Sequence, residues 1–213
     1  MQQSIEFEDT SRSLTETLQA LVGGIRGQSI TLRQLMDAVG EQGLLLLCAI
    51  ASLPFLIPVS IPGVSTVFGA AIILVGIAVF MNRLPWLPKK ILDRQLDTAK
   101  LVPALERGIG IVGRFDRFLM PRLSALTTGT VVNRINALGI AAGGVLLMFP
   151  LGLIPFSNTL PAVAILLLAV GMIQRDGLVV LAGYGFLVGT VVYFTALAYA
   201  AFSAGQGLMS VFG

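Results

Sequence analysis

A broken apolar segment occurs twice in this chain, and it restricts the fold more than any other feature. The first copy, residues 44–81, reads LLLLCAIASL, then PFLIPVSIPG, then VSTVFGAAIILVGIAVFM. The second, residues 137–173, reads ALGIAAGGVLLMF, then PLGLIPFSNTLP, then AVAILLLAVGMI. Three prolines stand in the middle of each: Pro54, Pro58 and Pro62 in the first, Pro150, Pro155 and Pro161 in the second. A proline inside a helix removes a backbone donor and clashes with the carbonyl one turn back. In hydrocarbon no water satisfies the freed groups, so irregular backbone survives only within protein or along a wet cavity. Paired interrupted segments in corresponding halves of a membrane protein point to a binding site.

Simple kinks in two long helices are the plain alternative. Arm lengths favour true breaks. As helix, residues 44–53 reach about 15 Å, half of a hydrocarbon core of roughly 30 Å. Residues 64–81 reach about 27 Å and nearly cross alone. The two arms of the second copy reach about 20 and 18 Å.

Composition sets the solvent. Hydrophobic residues make up 55% of the chain and charged residues 12%, against about 25% charged in a soluble domain. The fold class expected is therefore an all-α, polytopic integral membrane protein: two proline-broken, re-entrant helical repeats and a C-terminal transmembrane helix. Residues 1–43 form N-terminal amphipathic helices, 44–81 and 136–177 the two repeats, 82–135 a basic linker, and 178–213 the last helix. The uncharged run 178–202 is long enough to span with tilt. The polar, acidic first twenty residues lack the pattern of a signal peptide.

Charge gives the orientation. Residues 82–135 carry ten cations, from Arg83 to Arg134, against Asp93, Asp97, Glu106 and Asp116. The positive-inside rule places this segment in the cytoplasm of a bacterial inner membrane. Trp86 between Arg83 and Lys89 reads as an interfacial anchor, and 89–119 as a basic amphipathic stretch on anionic lipid. Nucleic acid is not an expected partner, because the cations accompany membrane segments. One net crossing by either segment would make the repeats inverted; the sequence leaves both arrangements open.

Upstream, Ser13–Glu16 and Thr31–Gln34 match capping boxes at the starts of two short surface helices. Gly40 fits the stop of the second. Small-xxx-small pairs at Gly139/Gly143 and Gly185/Gly189 allow close helix approach, either inside the protein or in a homo-oligomer.

The chemistry on offer is narrow. Histidine is absent, which removes the commonest general base and metal ligand. Cys48, the single cysteine, reads as packing. No catalytic residue, metal or cofactor is expected. Each break is read as starting a helix, after Pro62-Gly63 and at Ser157-Asn158-Thr159. Helix N-termini favour anions through unpaired N–H groups and partial positive charge. Ser60, Ser65, Thr66, Ser157, Asn158 and Thr159 are the candidate binding residues, for an anionic lipid-linked or sugar-phosphate ligand in a shared mid-membrane cavity. The alternative is that they cap their own helices. Glu41, Arg175 and Asp176 are candidate gating residues; for the last two, a structural pair at a turn is the alternative.

GEQG at 40–43, PFLIPVSIPG at 54–63, RLPWLPKK at 83–90, FLMPRL at 118–123, PFSNTLP at 155–161 and RDGLVVLAGY at 175–184 occur in this order. Together they resemble the ExoD exopolysaccharide-synthesis family of bacterial membrane proteins. The resemblance covers most of residues 13–200. It implies a part in exopolysaccharide production and carries over no catalytic residue. A transporter or flippase-like protein is the leading expectation. A non-catalytic membrane factor that organises or regulates a synthesis complex is the second.

Overall fold

The computed structural model describes residues 29–57, 63–82, 93, 95–97, 102, 123–149, 151 and 154–212. Readings that fall on Ser13–Glu16, Pro58, Ser60, Pro62, Trp86 or Pro150 lie outside them.

Helix α1 (Leu32–Ser52) starts where the sequence signals it. The Thr31 hydroxyl accepts from the Gln34 N–H at 3.2 Å, and the Gln34 side chain accepts from the Thr31 N–H at 3.0 Å. This reciprocal pair satisfies two donors of the first turn. The expected stop at Gly40 is instead a kink. Gly40 leaves helical geometry at φ 59° and ψ −147°, and the helix resumes behind it. Glycine is the residue that adopts such a conformation cheaply. A 3-10 turn, Leu53–Leu56, closes α1, with Pro54 at its start where a missing N–H costs nothing.

Helices α2 (Val64–Phe80), α3 (Thr130–Leu147), α4 (Thr159–Ile173) and α5 (Gly177–Phe212) follow. The one non-helical pairing among the described residues joins β1 (Ser29–Thr31) to β2 (Gln95–Asp97), antiparallel, with Ile30 opposite Leu96. Helix α3 begins six residues before the expected end of the linker, and α1 runs across the expected boundary at 43/44. Both arms are longer than composition indicates because their polar residues are held by side-chain hydrogen bonds. The Asn133 amide donates to the Glu41 carboxylate at 3.3 Å, and the Asn136 amide donates to the Leu126 carbonyl at 2.9 Å.

These contacts fix the direction of each helix. Glu41 and Asn133 bring the front of α1 to the front of α3. Arg134 stands over the Phe80 ring, 5.9 Å from its centre, so α2 ends where α3 begins. The first segment thus starts and finishes at one end of the bundle. The second does the same: the Thr127 hydroxyl, just ahead of α3, donates to the Arg175 carbonyl just past α4 at 3.2 Å. Two helical hairpins open toward the same end. They interlock, with α2 along α3 and α1 along α4.

Helix α4 is the centre of the core. Its buried residues include Ala162, Ala164, Ile165, Leu168, Ala169 and Met172, on one half of the helix, and its other residues are half-buried, with none exposed. Leu44, Leu45 and Cys48 of α1, Ile72 of α2, Ile140 and Leu147 of α3 and Val180 of α5 complete the cluster. Among the described residues, two helices are long and apolar enough to cross a membrane: Thr130–Leu147 and the stretch Gly177–Ala204 of α5.

Glycines set the α2–α3 distance. A Cβ at Gly69 would lie 2.8 Å from the Gly144 carbonyl oxygen, and one at Gly144 would lie 3.0 Å from the Gly69 oxygen. One turn or two along, a Cβ at Gly76 would meet the Ala137 carbonyl and Ala141, each at 3.1 Å. The Gly139/Gly143 pair packs internally as well, against Leu168, Tyr184 and Ile165. Gly185 and Gly189 differ, for a Cβ at either meets nothing within 4 Å.

A paired substitution separates these two classes. Gly144→Ala should lower the thermal midpoint in detergent, since overpacking costs about 1–3 kcal/mol. Gly189→Ala should leave it unchanged or raise it, as alanine favours a helix over glycine by roughly 0.5–1 kcal/mol. The opposite order would mean that α2 and α3 are not in backbone contact.

Candidate functional site

Both breaks lie at the end of the bundle opposite Glu41, Arg134 and Asp176. The second is tied to α5: the Tyr193 hydroxyl donates to the Pro155 carbonyl at 2.8 Å, and the Phe149 and Phe194 rings sit 5.6 Å apart. From Gly177 to Tyr193 is about 24 Å of helix. Helices α2 and α4, of 17 and 15 residues, rise about 25 and 22 Å between break and charged end. The breaks therefore sit at the far end of the helices, and the expected half-length arm, residues 44–53, is the last part of the longer α1 (Leu32–Ser52).

The first break packs on the helix that follows the second. The Leu53–Leu56 turn packs on α4, and its buried Phe55 meets Phe68 of α2 edge-on, centroids 5.6 Å apart. Gly63 precedes α2 in a left-handed conformation, φ 84°, with nothing near its would-be Cβ. Ser65 is buried and Thr66 exposed in the first turn that follows.

The second break turns without glycine. Phe156 takes φ 63°, which costs a non-glycine residue about 1–2 kcal/mol. Ser157 holds the turn: its hydroxyl lies 2.8 Å from the Leu151 carbonyl and 2.9 Å from that of Ile154. Ser157 and Asn158 are 1% and 7% exposed, and Thr159 is half-buried. Neither α2 nor α4 has a side-chain hydrogen bond capping its first turn, so self-capping is not what Asn158 does. Pro161 stands inside the first turn of α4 and is buried. It is placed to start that helix, where its missing N–H is an orphan in any case, while residues 154–158 make the break.

The candidate gating residues are elsewhere. Asp176 is 4% exposed, and its carboxylate accepts from the Leu178 and Val179 N–H groups at 3.0 and 3.4 Å. It caps α5, with its charge favourably placed at the helix N-terminus. Arg175 turns the chain at φ 53° and is exposed. Glu41 is half-buried beside Asn133. Around them runs a polar layer that composition did not single out: Asn136 accepts from the Tyr184 hydroxyl at 2.9 Å while donating to Leu126. Only the polar interruptions of α3 and α5 hint at it in the sequence. In all, the structure sets the described residues of the first break against α4, the helix that follows the second, and keeps Glu41, Arg175 and Asp176 apart from both.

Fold and breaks together describe an apolar helical protein of two interlocked hairpins with a long fifth helix. The family model described as "Exopolysaccharide synthesis, ExoD" matches residues 14–196, and the chain belongs to the ExoD family, which is linked to exopolysaccharide synthesis. It is 64% identical over 209 residues to Protein ExoD of Rhizobium meliloti, covering 98% of this chain and 87% of that protein. It is also 28% identical over 187 residues to an uncharacterized protein of Synechocystis, covering 87% of each. No solved structure matches the chain.

The cap reading of Asp176 has a direct test. Asp176→Ala should destabilise the protein by about 1 kcal/mol, read as a lower thermal midpoint, whereas Asp176→Asn should keep most of the stability. Support of exopolysaccharide production in cells should survive Asp176→Asn. Loss of that support with stability intact would restore the gating role.

Proposed function

We propose that this chain is an integral membrane protein supporting exopolysaccharide synthesis as a transporter or flippase-like protein, with an anion-favouring site at the two breaks. Large apolar side chains on the outside support the membrane reading: Val67 and Val131 are 69% exposed and Tyr199 74%. Soluble proteins rarely expose such continuous apolar area. Only 22% of the Gly177–Ala204 window and 39% of Thr130–Leu147 are buried, unlike the core helices of a soluble domain. The positive-inside rule then puts the linker, and with it the Glu41–Asp176 end, on the cytoplasmic side.

The observation that carries the site is the pair of helix starts, α2 and α4, that open at one end of the bundle without side-chain caps. Their N–H groups and dipoles favour a negative guest. Ser65, Thr66, Asn158 and Thr159 lie at those starts, with Asn158 the side chain best able both to accept and to donate. Membrane lipids are the partners in this reading, and an anionic lipid-linked or sugar phosphate is the ligand class. The alternative is a non-catalytic factor organising a synthesis complex through the basic linker.

Vesicles carrying a fluorescent phosphatidic acid in one leaflet test the proposal. Reconstituted protein should speed its equilibration between leaflets, and Asn158→Leu, which keeps volume and removes the amide, should slow it toward the empty-vesicle rate. A wild-type rate equal to that of empty vesicles contradicts transport of anionic lipid and leaves the organising role.

A further inference from the structure

Two hydrophobic lengths coexist in this molecule. Measured from the level of Arg134 and Asp176, the hairpins end at their breaks after about 20–25 Å of helix. The apolar stretch of α5 starts at the same level and runs for 28 residues, about 42 Å. The Tyr193–Pro155 bond and the Phe149–Phe194 contact pin the second break roughly halfway along α5. Beyond that point α5 stays uncharged to Ala204 and turns large apolar side chains outward, with Tyr199 and Phe202 74% and 66% exposed. A flat hydrocarbon core of about 30 Å matches neither length. It would bury the breaks several ångströms deep, with their irregular backbone and exposed Phe156 in hydrocarbon, and at the same time put the exposed Tyr199, about 33 Å along α5, in the headgroup layer. Irregular backbone facing lipid is the costlier of the two.

We infer that the bilayer is locally thinned around the hairpin ends: the leaflet farther from the charged end bends down to the two breaks and stays thick along the outer face of α5. The partner is the lipid bilayer itself, with its headgroups drawn to the level of residues 154–158. Bilayers adapt to short hydrophobic segments in this way at a modest cost per ångström. Here the long α5 beside the short hairpins confines the adaptation to one flank. This rests on the membrane reading above and does not require transport.

The order of water exposure tests it. Along α5, Tyr199 lies farther from the charged end than Phe156 at the Tyr193 level, so a flat membrane makes position 199 the wetter of the two. Local thinning reverses that order. In a Cys48→Ala background, Phe156→Cys and Tyr199→Cys proteins in phosphatidylcholine vesicles are labelled with an impermeant maleimide reaching both faces. Severalfold faster labelling of Phe156→Cys than of Tyr199→Cys is expected, with the opposite order for quenching by lipids brominated on their acyl chains. Equal labelling, or faster labelling of Tyr199→Cys, overturns the inference. Alkaline carbonate extraction of the same vesicles reports separately on the membrane reading: release of the protein would overturn that reading itself.

Discussion

Backbone contact between α2 and α3 is the constraint on which the other positions depend. At Gly69 against Gly144 a Cβ would fall 2.8–3.0 Å from the opposite carbonyl oxygen, and at Gly76 the Ala137 carbonyl and Ala141 stand only 3.1 Å from where one would be. That proximity locks the second arm of one hairpin to the first arm of the other. With α1 along α4 in the matching place, the hairpins cannot open separately. Tight packing of small residues is the kind of contact that holds helices together where lipid removes the usual hydrophobic drive.

The rest of the architecture follows from that lock. Because the hairpins run in parallel, their polar ends gather into one layer, in which Glu41, Asn133, Asn136 and Tyr184 satisfy one another or nearby carbonyls. Buried polar groups without partners are expensive, so this layer specifies register as well as tolerating burial. The breaks gather at the other end for the same reason. Phe55 against Phe68, and Tyr193 on Pro155, then seal them to the bundle. The candidate site is thus the necessary end of two hairpins, placed by packing far from the residues that signalled chemistry at the charged end.

Much of this was legible in the residues. The helical character, the places where the apolar runs are interrupted and the Thr31 cap all follow from local rules. What was not legible depends on partners distant in sequence. Glu41, a gating candidate by sequence, lies within α1, where its carboxylate accepts from Asn133 of α3 across 92 positions. Gly40 fits a stop by local rules and is a kink because the packed run beyond it restarts the helix. Pro161 reads as a breaker beside Asn158 and is the buried first turn of α4. Asp176 reads as a turn residue or a gate, and the N–H groups of Leu178 and Val179 show it as a cap. The binding role of Asn158 rests on the placement of the break and not on any contact that the sequence spelled out.

The central claim is that both breaks share one end of the bundle, opposite the start of α5. Electron–electron double resonance between nitroxides measures it directly. Leu53, Phe156 and Leu178 are all exposed, at 47%, 56% and 44%, and each accepts a label through substitution by cysteine in a Cys48→Ala background. The account expects the Leu53–Phe156 pair to be clearly closer than the Phe156–Leu178 pair, which the rise of α5 separates by about 20 Å or more. A Phe156–Leu178 distance shorter than that of Leu53–Phe156 would place the two breaks at opposite ends and contradict it.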